Sequence, residues 1–276
     1  RSVRSLVPEN RLPVIRTRGT TKLLHQHWLN RKMYSDWTEF HITAGKIVSE
    51  RLLSQVNILT EKQKTIYYPV SCPELPLLPQ KDFRTEFQIS TKAKVLAVVG
   101  RIRPVKGQRI VLRSLSQLLL EFTDLVLLIP YRDTSEYEAE MQALRSDIGK
   151  LELEAHVRLI PEREDILALM EFADAGIVSS VDSEVICRVA VEFFSVGTPV
   201  VAFPTGCLPE IIRHADNGLL TKDQTQEALT DELRKFLTDP ELCERLGQGA
   251  RRDAEIRFNP QNMLTETLEV FERALN

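Results

Sequence analysis

The sequence predicts an α/β protein with a doubly wound parallel sheet in its larger, C-terminal part and a partial α/β domain before it. From about residue 90 onward, short apolar runs alternate with helix-like stretches. Two of these runs, Val95–Val99 and Leu125–Ile129, have no polar alternation, which is typical of strands covered by helices on both faces of a sheet. The 276 residues are 43% hydrophobic and 27% charged, a composition that favours a folded globular protein over a disordered one.

The first part of the chain carries a weaker pattern of the same kind. Its predicted strands are Pro13–Thr17, Glu39–Thr43 and Lys64–Tyr68, and its predicted helices lie near 21–36 and 45–54. We therefore expect a partial domain over residues 1–78. Four prolines fall close together around the end of this domain, namely Pro69, Pro73, Pro76 and Pro79. They predict an extended linker between the domains, which we place at 79–89.

Residues 90–258 are predicted to form one complete domain. Its alternating elements are Lys94–Val99, Gln108–Glu121, Leu125–Pro130, Glu136–Gly149, His156–Ile160, Asp165–Phe172, Ala175–Ser179, Val185–Val196 and Pro199–Phe203. Residues 259–276 supply a last helix, predicted over Gln261–Leu275. Ligands of such sheets bind at the carboxyl ends of the strands, where we expect Gly100, Tyr131, Pro161, Ser180 and Pro204.

The cysteines and the charge distribution bear on where the protein works. Cys72, Cys187, Cys207 and Cys243 form no C-x-x-C pair and no disulfide-like framework, which favours a reducing, cytoplasmic location. Residues 1–78 hold twelve Lys and Arg against six Asp and Glu, whereas the rest of the chain holds 24 against 33. This basic excess leaves peripheral contact with the inner face of the cytoplasmic membrane open, and solvated helix faces explain it equally well. We expect no nucleic-acid partner.

Two glutamates, Glu184 and Glu192, lie eight residues apart around an otherwise apolar helical stretch. Eight residues turn an ideal helix by roughly 800°, about 80° from realignment, so two helical carboxylates would not share a face. We therefore place Glu184 in the loop that opens the helix, and we expect a partner for Glu192 because a buried ionised carboxylate is costly alone. The backbone N–H groups of Val185 to Arg188 would then form an anion site suited to a nucleotide diphosphate.

A second motif, GRIRPVKG at Gly100–Gly107, follows the first strand of the complete domain. Arg101 offers a planar fork and Lys106 a compact charge for phosphate oxygens. A transferase that expels a nucleoside diphosphate needs such fixed positive charge where negative charge develops. Taken alone, a basic surface turn explains the motif equally well.

These motifs resemble those of the glycosyl transferases group 1 family, retaining enzymes with the GT-B fold. The E-x7-E pair is closed by G-T-P-V-V at Gly197–Val201, and the loop at 100–107 is similar to the family's G-R-x-x-P-x-K-G. Pro209–Ile212 and Asn217–Gly218 match its P-E-I and N-G segments. The resemblance is strong over about 95–260. Before residue 80 it is weaker, and there Pro13–Arg18 and Asn30–Arg31 resemble relatives that build lipopolysaccharide cores.

The resemblance implies a complete C-terminal Rossmann-like domain for a nucleotide-sugar and a partial N-terminal acceptor domain, to which the last helix returns. It implies transfer of a sugar from a UDP-, ADP- or GDP-linked donor to a glycan or glycolipid acceptor, such as the lipopolysaccharide core, with no metal or other cofactor. Arg101, Lys106 and Glu184 would be catalytic, and Glu192 would bind the ribose. The implied donor-binding residues are Gly100, Arg101, Lys106, Pro161, Ser183, Glu184, Val185, Ile186 and Glu192.

Structural explanations exist for several of these residues. Glu192 could form a salt bridge in the core, and Glu184, Asp182 and Ser183 could cap the helix. Arg103 is expected to be a bystander in the phosphate loop. Family members often carry glycines just after the first glutamate, whereas bulkier residues stand there in this chain, which affects how the sugar would lie. The absence of a D-x-D motif and of a helical histidine pair predicts no metal site.

Other functions stay open on the same fold. A sugar-nucleotide epimerase or a phosphorylase could use the same motifs, and so could a non-catalytic, donor-binding fragment or pseudoenzyme. Two complete Rossmann-like domains need about 350 residues or more at roughly 100 to 200 per domain, so we expect a truncated acceptor domain and a chain that is inactive alone.

Overall fold

The computed structural model describes residues 12–25, 27–77, 82–132, 137–182 and 184–275. The chain divides into two compact units. Among the described residues, unit 1 comprises those of 12–69 and 258–275, and unit 2 comprises those of 70–257. The predicted linker at 79–89 falls within unit 2.

Strands and helices alternate along most of the chain. In chain order they are β1 (Ile15–Arg18), α1 (Trp28–Ser35), β2 (Phe40–Thr43), α2 (Lys46–Leu53), β3 (Gln63–Thr65), α3 (Phe83–Glu86), β4 (Lys94–Ala97), α4 (Gln108–Leu118), β5 (Leu125–Tyr131), α5 (Glu138–Lys150), β6 (Val157–Pro161), α6 (Ile166–Phe172), β7 (Ala175–Val178), α7 (Arg188–Ser195), β8 (Val200–Ala202), α8 (Leu208–Ile211), β9 (Gly218–Leu220), α9 (Gln226–Thr238), α10 (Pro240–Arg257) and α11 (Pro260–Leu275).

Unit 1 contains a three-stranded parallel sheet in the order β1-β2-β3. One face of this sheet carries an apolar cluster, in which Phe40 and Ile42 of β2 are buried together with Ile66 and with Val270 of α11. Two polar contacts also hold α11 to this unit, because Lys64 pairs with Glu269 at 2.5 Å and Arg273 donates to the Glu61 carbonyl at 2.7 Å. The last helix is therefore an integral part of unit 1.

Unit 2 contains a six-stranded, entirely parallel sheet in the order β6-β5-β4-β7-β8-β9. The chain builds the sheet outward from β4 to β6 and then returns to the other side of β4 with β7. The central strands are buried along almost their whole length, as the apolar runs predict. The predicted α/β class with a doubly wound parallel sheet is thus confirmed. The reversal creates a topological switch point between β4 and β7, the place where such sheets bind ligands.

Several predicted helix boundaries are wrong. The helix predicted near 21–36 is confined to α1, which begins at Trp28 where His27 Nδ1 accepts from the Leu29 N–H at 3.3 Å. The helix predicted from Val185 begins three residues later, at Arg188. The predicted start of α5 at Glu136 lies outside the described residues. Within the described residues, no helix is both long enough and apolar enough to span a membrane.

Candidate functional site

The two sequence motifs meet at the switch point of unit 2. The loop that contains Arg101 and Lys106 follows β4, and the loop that contains Glu184 follows β7. Because β4 and β7 are parallel neighbours, both loops leave the same edge of the sheet. The fold therefore brings together residues that stand 78 positions apart in the chain.

Glu184 is the centre of this meeting point. The residue is only 8% exposed, and its Oε1 forms an ion pair with Lys106 Nζ. The buried Ser180 hydroxyl donates to the same oxygen at 2.5 Å. A buried carboxylate is stable only when it is paired and hydrogen-bonded, and these two donors meet that need. No donor among the described residues reaches Oε2, so this oxygen can accept from a ligand.

Backbone contacts fix the lysine side of the pair. The Ser179 hydroxyl donates to the Lys106 carbonyl at 2.8 Å, and the Val181 N–H donates to the Val105 carbonyl at 2.9 Å. Gly107 then turns the chain into α4 with a φ of 69°. A Cβ on Gly107 would lie 2.2 Å from the Ser179 carbonyl oxygen, so only glycine permits this close approach of the two loops.

The glutamate side is held in a similar way. The Cys207 N–H donates to the Glu184 carbonyl at 2.7 Å, and Gly206, with a φ of 58°, lies against the Glu184 backbone. The Thr205 hydroxyl donates to the Ser180 carbonyl at 2.5 Å. The loop after β8 thus supports both Glu184 and the serine that binds it.

The start of α7 differs from the prediction. Val185 and Ile186 lie in a bend before the helix, and Cys187 precedes α7 in a left-handed conformation with a φ of 45°. Two causes explain the later start. Consecutive β-branched residues are poor helix formers, and the contact with Cys207 holds Glu184 outside the helix. Glu184 is therefore a loop residue, as the turn-angle argument predicts, but Val185 and Ile186 are not the first residues of a helix.

Glu192 lies in the second turn of α7 and pairs with Arg188 at 3.2 Å. The Glu192 side chain is 25% exposed and that of Arg188 is 60% exposed, so this is a surface ion pair rather than a core salt bridge. Such pairs contribute little to stability, and a ligand can replace Arg188 at small cost. No hydrogen bond among the described residues joins Glu192 to the Lys106–Glu184 pair.

Arg101 lies beside a cleft of about 240 Å³ at the carboxyl ends of β4, β5 and β6. Its other lining residues include Gly100, Tyr131, Glu162 and Arg163. This volume is below the roughly 300 to 1,000 Å³ of whole ligand pockets and suits one part of a larger ligand. A larger hollow of about 660 Å³ includes Asp174 and Pro199, which precede β7 and β8, so it lies at the opposite edge of the sheet.

The arginines of this cleft are in different electrostatic states. Arg163 is bound by Asp165 and Glu86, and these hydrogen bonds raise its pKa well above the ordinary value. Arg132 forms an exposed surface ion pair with a glutamate of the same cleft at 3.1 Å. Arg101 is exposed, and no carboxylate among the described residues pairs with it. Arg101 is thus the arginine of the cleft that can bind an anionic ligand without first releasing a carboxylate partner.

The remaining predicted residues are spread along the same edge. Gly100 follows β4 with a φ of 151°, and Pro161 ends β6 in register with Tyr131 of β5. Arg103 stacks over the Tyr137 ring at 5.0 Å, which agrees with a structural role. Ser183 lies outside the described residues.

Two buried cysteines adjoin the site without reactive character. Burial, reinforced by the Glu184 carboxylate, raises the pKa of Cys187 well above its ordinary value. Burial likewise raises the pKa of Cys207 to about 12. Both thiols are therefore protonated at neutral pH, so neither is a candidate nucleophile.

Sequence reasoning missed two features of the site. One is the ion pair between Lys106 and Glu184. The sequence predicts separate roles for the two residues, and no local pattern indicates that they pair. The role of Ser180 was also missed, although its expected place at the carboxyl end of β7 was a usable signal. Ser180 is a polar residue at the end of a strand, close in sequence to Glu184, and this position could have suggested the contact.

The family profile of the glycosyl transferases group 1 matches residues 79–253, which include every residue of this site. The chain belongs to this family. Spore coat protein SA of Bacillus subtilis (strain 168) is 26% identical over 245 residues, which are 84% of this chain and 64% of that protein. A D-inositol 3-phosphate glycosyltransferase of Jonesia denitrificans is 30% identical over 194 residues, or 69% of this chain and 45% of that enzyme. The chain thus spans about half to two-thirds of these relatives.

Solved structures agree on the fold. A glycosyltransferase of Rickettsia africae superposes with a TM-score of 0.86 at 20% identity, over 95% of this chain and 70% of that one. Anabaena Alr3699/HepE in complex with UDP gives a TM-score of 0.85 at 20% identity, over 95% and 73%. WaaG, a glycosyltransferase involved in lipopolysaccharide biosynthesis, gives 0.74 at 17% identity, over 95% and 76%. The GT-B assignment is confirmed.

Proposed function

We propose that this chain binds a nucleotide-sugar at the β4–β7 edge of unit 2. We further propose that it forms part of a retaining glycosyltransferase, which transfers the sugar to a glycan or glycolipid. One observation carries the proposal. A buried carboxylate paired with a lysine lies at the topological switch point, and an exposed arginine of the same lysine loop lies beside the neighbouring cleft at the ends of β4, β5 and β6. Both loops carry the family's motifs. Together they supply charge for a diphosphate and an acceptor oxygen for a sugar hydroxyl.

Each residue has a separate task in this proposal. Arg101 and Lys106 bind the diphosphate and stabilise the negative charge that grows on it as the sugar leaves. Glu184 accepts from a hydroxyl of the transferred sugar through Oε2, while Ser180 and Lys106 hold Oε1. Glu192 releases Arg188 and accepts hydrogen bonds from the ribose hydroxyls instead. Gly100 and Pro161 border the space for the base.

The proposed reaction needs no covalent enzyme intermediate. The bond between the anomeric carbon and the diphosphate oxygen breaks, and its electron pair stays on that oxygen. The acceptor hydroxyl oxygen forms its bond to the anomeric carbon on the same face, and its proton passes to the departing diphosphate. Retention of configuration is proposed by analogy with the family. The fixed charges of Arg101 and Lys106 would act where other transferases use a metal ion.

The relatives guide the choice of substrates to test. Anabaena Alr3699/HepE has been solved with UDP and with UDP-glucose, which makes UDP-linked sugars the first donors to try. WaaG is described as acting in lipopolysaccharide biosynthesis, which supports a lipopolysaccharide-core acceptor as one candidate. We also propose a cytoplasmic protein, because the described cysteines are all free thiols.

The basic excess of residues 1–78 supports peripheral contact with an anionic membrane. Sedimentation with vesicles tests this part of the proposal. Binding to vesicles that contain anionic lipid, lost in neutral vesicles and at high salt, is the expected result. Equal binding to both kinds of vesicle, or none, would contradict it.

Calorimetric titration with UDP, ADP, GDP and CMP tests the donor site. We expect one nucleotide to bind, and we expect Arg101→Ala and Lys106→Ala to weaken binding strongly. Arg103→Ala is the matched control, because it removes an equal charge from the same loop but from a side chain that stacks on Tyr137. Equal losses in Arg101→Ala and Arg103→Ala would indicate only a general electrostatic effect and would contradict the assigned roles.

Turnover separates a transferase from the other enzymes of this fold. A transferase releases free nucleotide only when an acceptor glycan is present, whereas an epimerase converts the donor without one and a phosphorylase requires phosphate. In a form of the protein with a complete acceptor domain, Arg101→Ala should lower kcat by roughly 100- to 1,000-fold, the usual effect of removing one preorganised donor. A variant that keeps most of its turnover would exclude this role for Arg101.

A further inference from the structure

Unit 1 has a sheet face that is polar and electropositive. In the parallel register of β1, β2 and β3, laterally paired residues point to the same side of the sheet. One side carries the apolar cluster with Val270. The other side carries two rows of polar residues, which are Arg16, His41 and Gln63 in one row and Arg18, Thr43 and Thr65 in the other.

Both arginines of this face contact one tyrosine at the end of α1. The guanidinium carbons of Arg16 and Arg18 lie 5.0 and 5.7 Å from the centre of the Tyr34 ring. Arg18 Nη1 also donates to the Tyr34 hydroxyl at 3.1 Å, and the His41 ring stacks on Tyr34 at 5.8 Å with an interplanar angle of 3°. Two positive charges thus lie side by side.

No carboxylate among the described residues pairs with either arginine. Arg18 is only 6% exposed, so its charge is almost completely removed from water. A buried charge normally has a counter-ion, because burial without one costs several kcal/mol. Arg16 is half-buried, and its Nε donates to the Thr38 hydroxyl at 3.5 Å.

Three buried polar atoms on this face have no hydrogen-bond partner among the described residues. They are Arg18 Nε, His41 Nδ1 and Gln63 Oε1. His41 Nε2 lies 2.8 Å from the Tyr34 carbonyl, which can only accept, so Nε2 donates and Nδ1 keeps its lone pair. The face therefore has one unused donor, Arg18 Nε, and two unused acceptors, His41 Nδ1 and Gln63 Oε1. Gln63 is the farther acceptor, because it lies on β3, roughly 10 Å from β1.

We propose that this face binds an anionic sugar, with its phosphate or carboxylate on Arg16 and Arg18 and its hydroxyl groups donating to His41 Nδ1 and Gln63 Oε1. A guanidinium pair suits the oxygens of such a group, and the two acceptors suit sugar hydroxyls. This proposal rests on the proposed function in one respect, because it takes the anionic sugar to be part of the glycan or glycolipid acceptor.

The test is a calorimetric titration in the Arg101→Ala/Lys106→Ala background, which removes the phosphate ligands of unit 2. The probes are glucose 6-phosphate, glucuronate, inorganic phosphate and glucose. We expect glucose 6-phosphate or glucuronate to bind and glucose not to bind, and the comparison of the two anions identifies the charged group. Arg16→Gln should weaken this binding roughly 10- to 100-fold, the effect of losing a charged hydrogen bond.

Arg51→Gln is the matched control, because it removes an exposed arginine of α2 in the same unit. Equal affinity in Arg16→Gln and Arg51→Gln, or no binding of either anionic sugar, would overturn the proposal. Binding of inorganic phosphate alone would also overturn it, because it would indicate a phosphate site and not a sugar site. UDP binding to unit 2, measured with Arg101 and Lys106 intact, should be the same in Arg16→Gln as in the unsubstituted chain, so the two proposals fail separately.

A second variant distinguishes ligand binding from a structural role of Arg18. Arg18→Met keeps the length of the side chain and removes its uncompensated charge. If the charge exists for a ligand, this variant should lose anion binding while its urea midpoint stays equal or rises. A lower midpoint together with unchanged anion binding would mean that Arg18 serves only to hold Tyr34 and the Lys22 carbonyl, to both of which it donates.

Discussion

Gly206 offers the sharpest test of how the loops position Glu184. A Cβ added to Gly206 would lie 2.0 Å from the Glu184 carbonyl oxygen and 2.9 Å from its backbone nitrogen. These are backbone atoms, which cannot swing away as a side chain can. Gly206→Ala should therefore displace Glu184 and break its geometry with Lys106 and Ser180.

The chain provides a matched control for the strain of the substitution. Gly197 has a φ of 75°, similar to the 58° of Gly206, but its added Cβ would meet only the Arg251 Cβ at 3.9 Å. Gly197→Ala should cost only the left-handed strain of about 1–2 kcal/mol. Gly206→Ala adds overpacking of about 1–3 kcal/mol. The entropy gained by restricting the unfolded chain is common to both variants and cancels.

Urea unfolding and nucleotide titration of both variants measure the difference. We expect Gly206→Ala to be less stable than Gly197→Ala by about 1–3 kcal/mol and to lose nucleotide affinity, while Gly197→Ala keeps it. If the two variants match in both stability and affinity, the contact between Gly206 and Glu184 does not position the site, and the reasoning is refuted.

Three further predictions concern single side chains. Ser180→Ala removes one of the two donors to Glu184 Oε1. In a form of the protein with a complete acceptor domain, this variant should lower kcat about tenfold with little change in the donor KM, which steady-state kinetics measures. A rise in KM alone would count against a positioning role. Burial and the neighbouring arginines lower the pKa of His41, so the unfolded chain takes up its proton first, and stability should fall as the pH drops below the ordinary value of 6.5. His41→Asn should flatten the decline of the urea midpoint between about pH 6.5 and 5, and an unchanged slope would contradict this assignment. Cys187 and Cys207 should resist iodoacetamide at pH 8 in the folded protein and react after unfolding, as mass spectrometry can follow; rapid labelling of the native protein would contradict their burial.

The doubly wound sheet could be predicted because burial on both faces leaves a direct mark on the sequence. The runs around Val95–Val99 and Leu125–Ile129 lack polar alternation, and both contribute strands at the centre of the six-stranded sheet. The loop position of Glu184 could also be predicted, because the helical turn angle separates it from Glu192. These inferences depend on periodicity, which is a local property of the chain.

The start of α7 and the ion pair of the site could not be predicted in this way. The α7 start depends on the hydrogen bond between Glu184 and Cys207, which joins two loops that are distant in sequence. The Lys106–Glu184 pair depends on β4 and β7 being neighbours, a consequence of the strand order. Arg16 and Arg18 appear in the sequence as ordinary basic residues, and only the burial of Arg18 without a counter-ion among the described residues sets the pair apart.

A crystal structure of this chain with bound UDP would show which residues bind the diphosphate. We expect the diphosphate to lie at the carboxyl ends of β4 and β7 and to contact the Arg101 guanidinium and Lys106 Nζ. Lys106 Nζ would then either leave Glu184 or contact both groups. A diphosphate bound at another edge of the sheet, or bound at this edge without contact to either cation, would contradict the assignment of these residues.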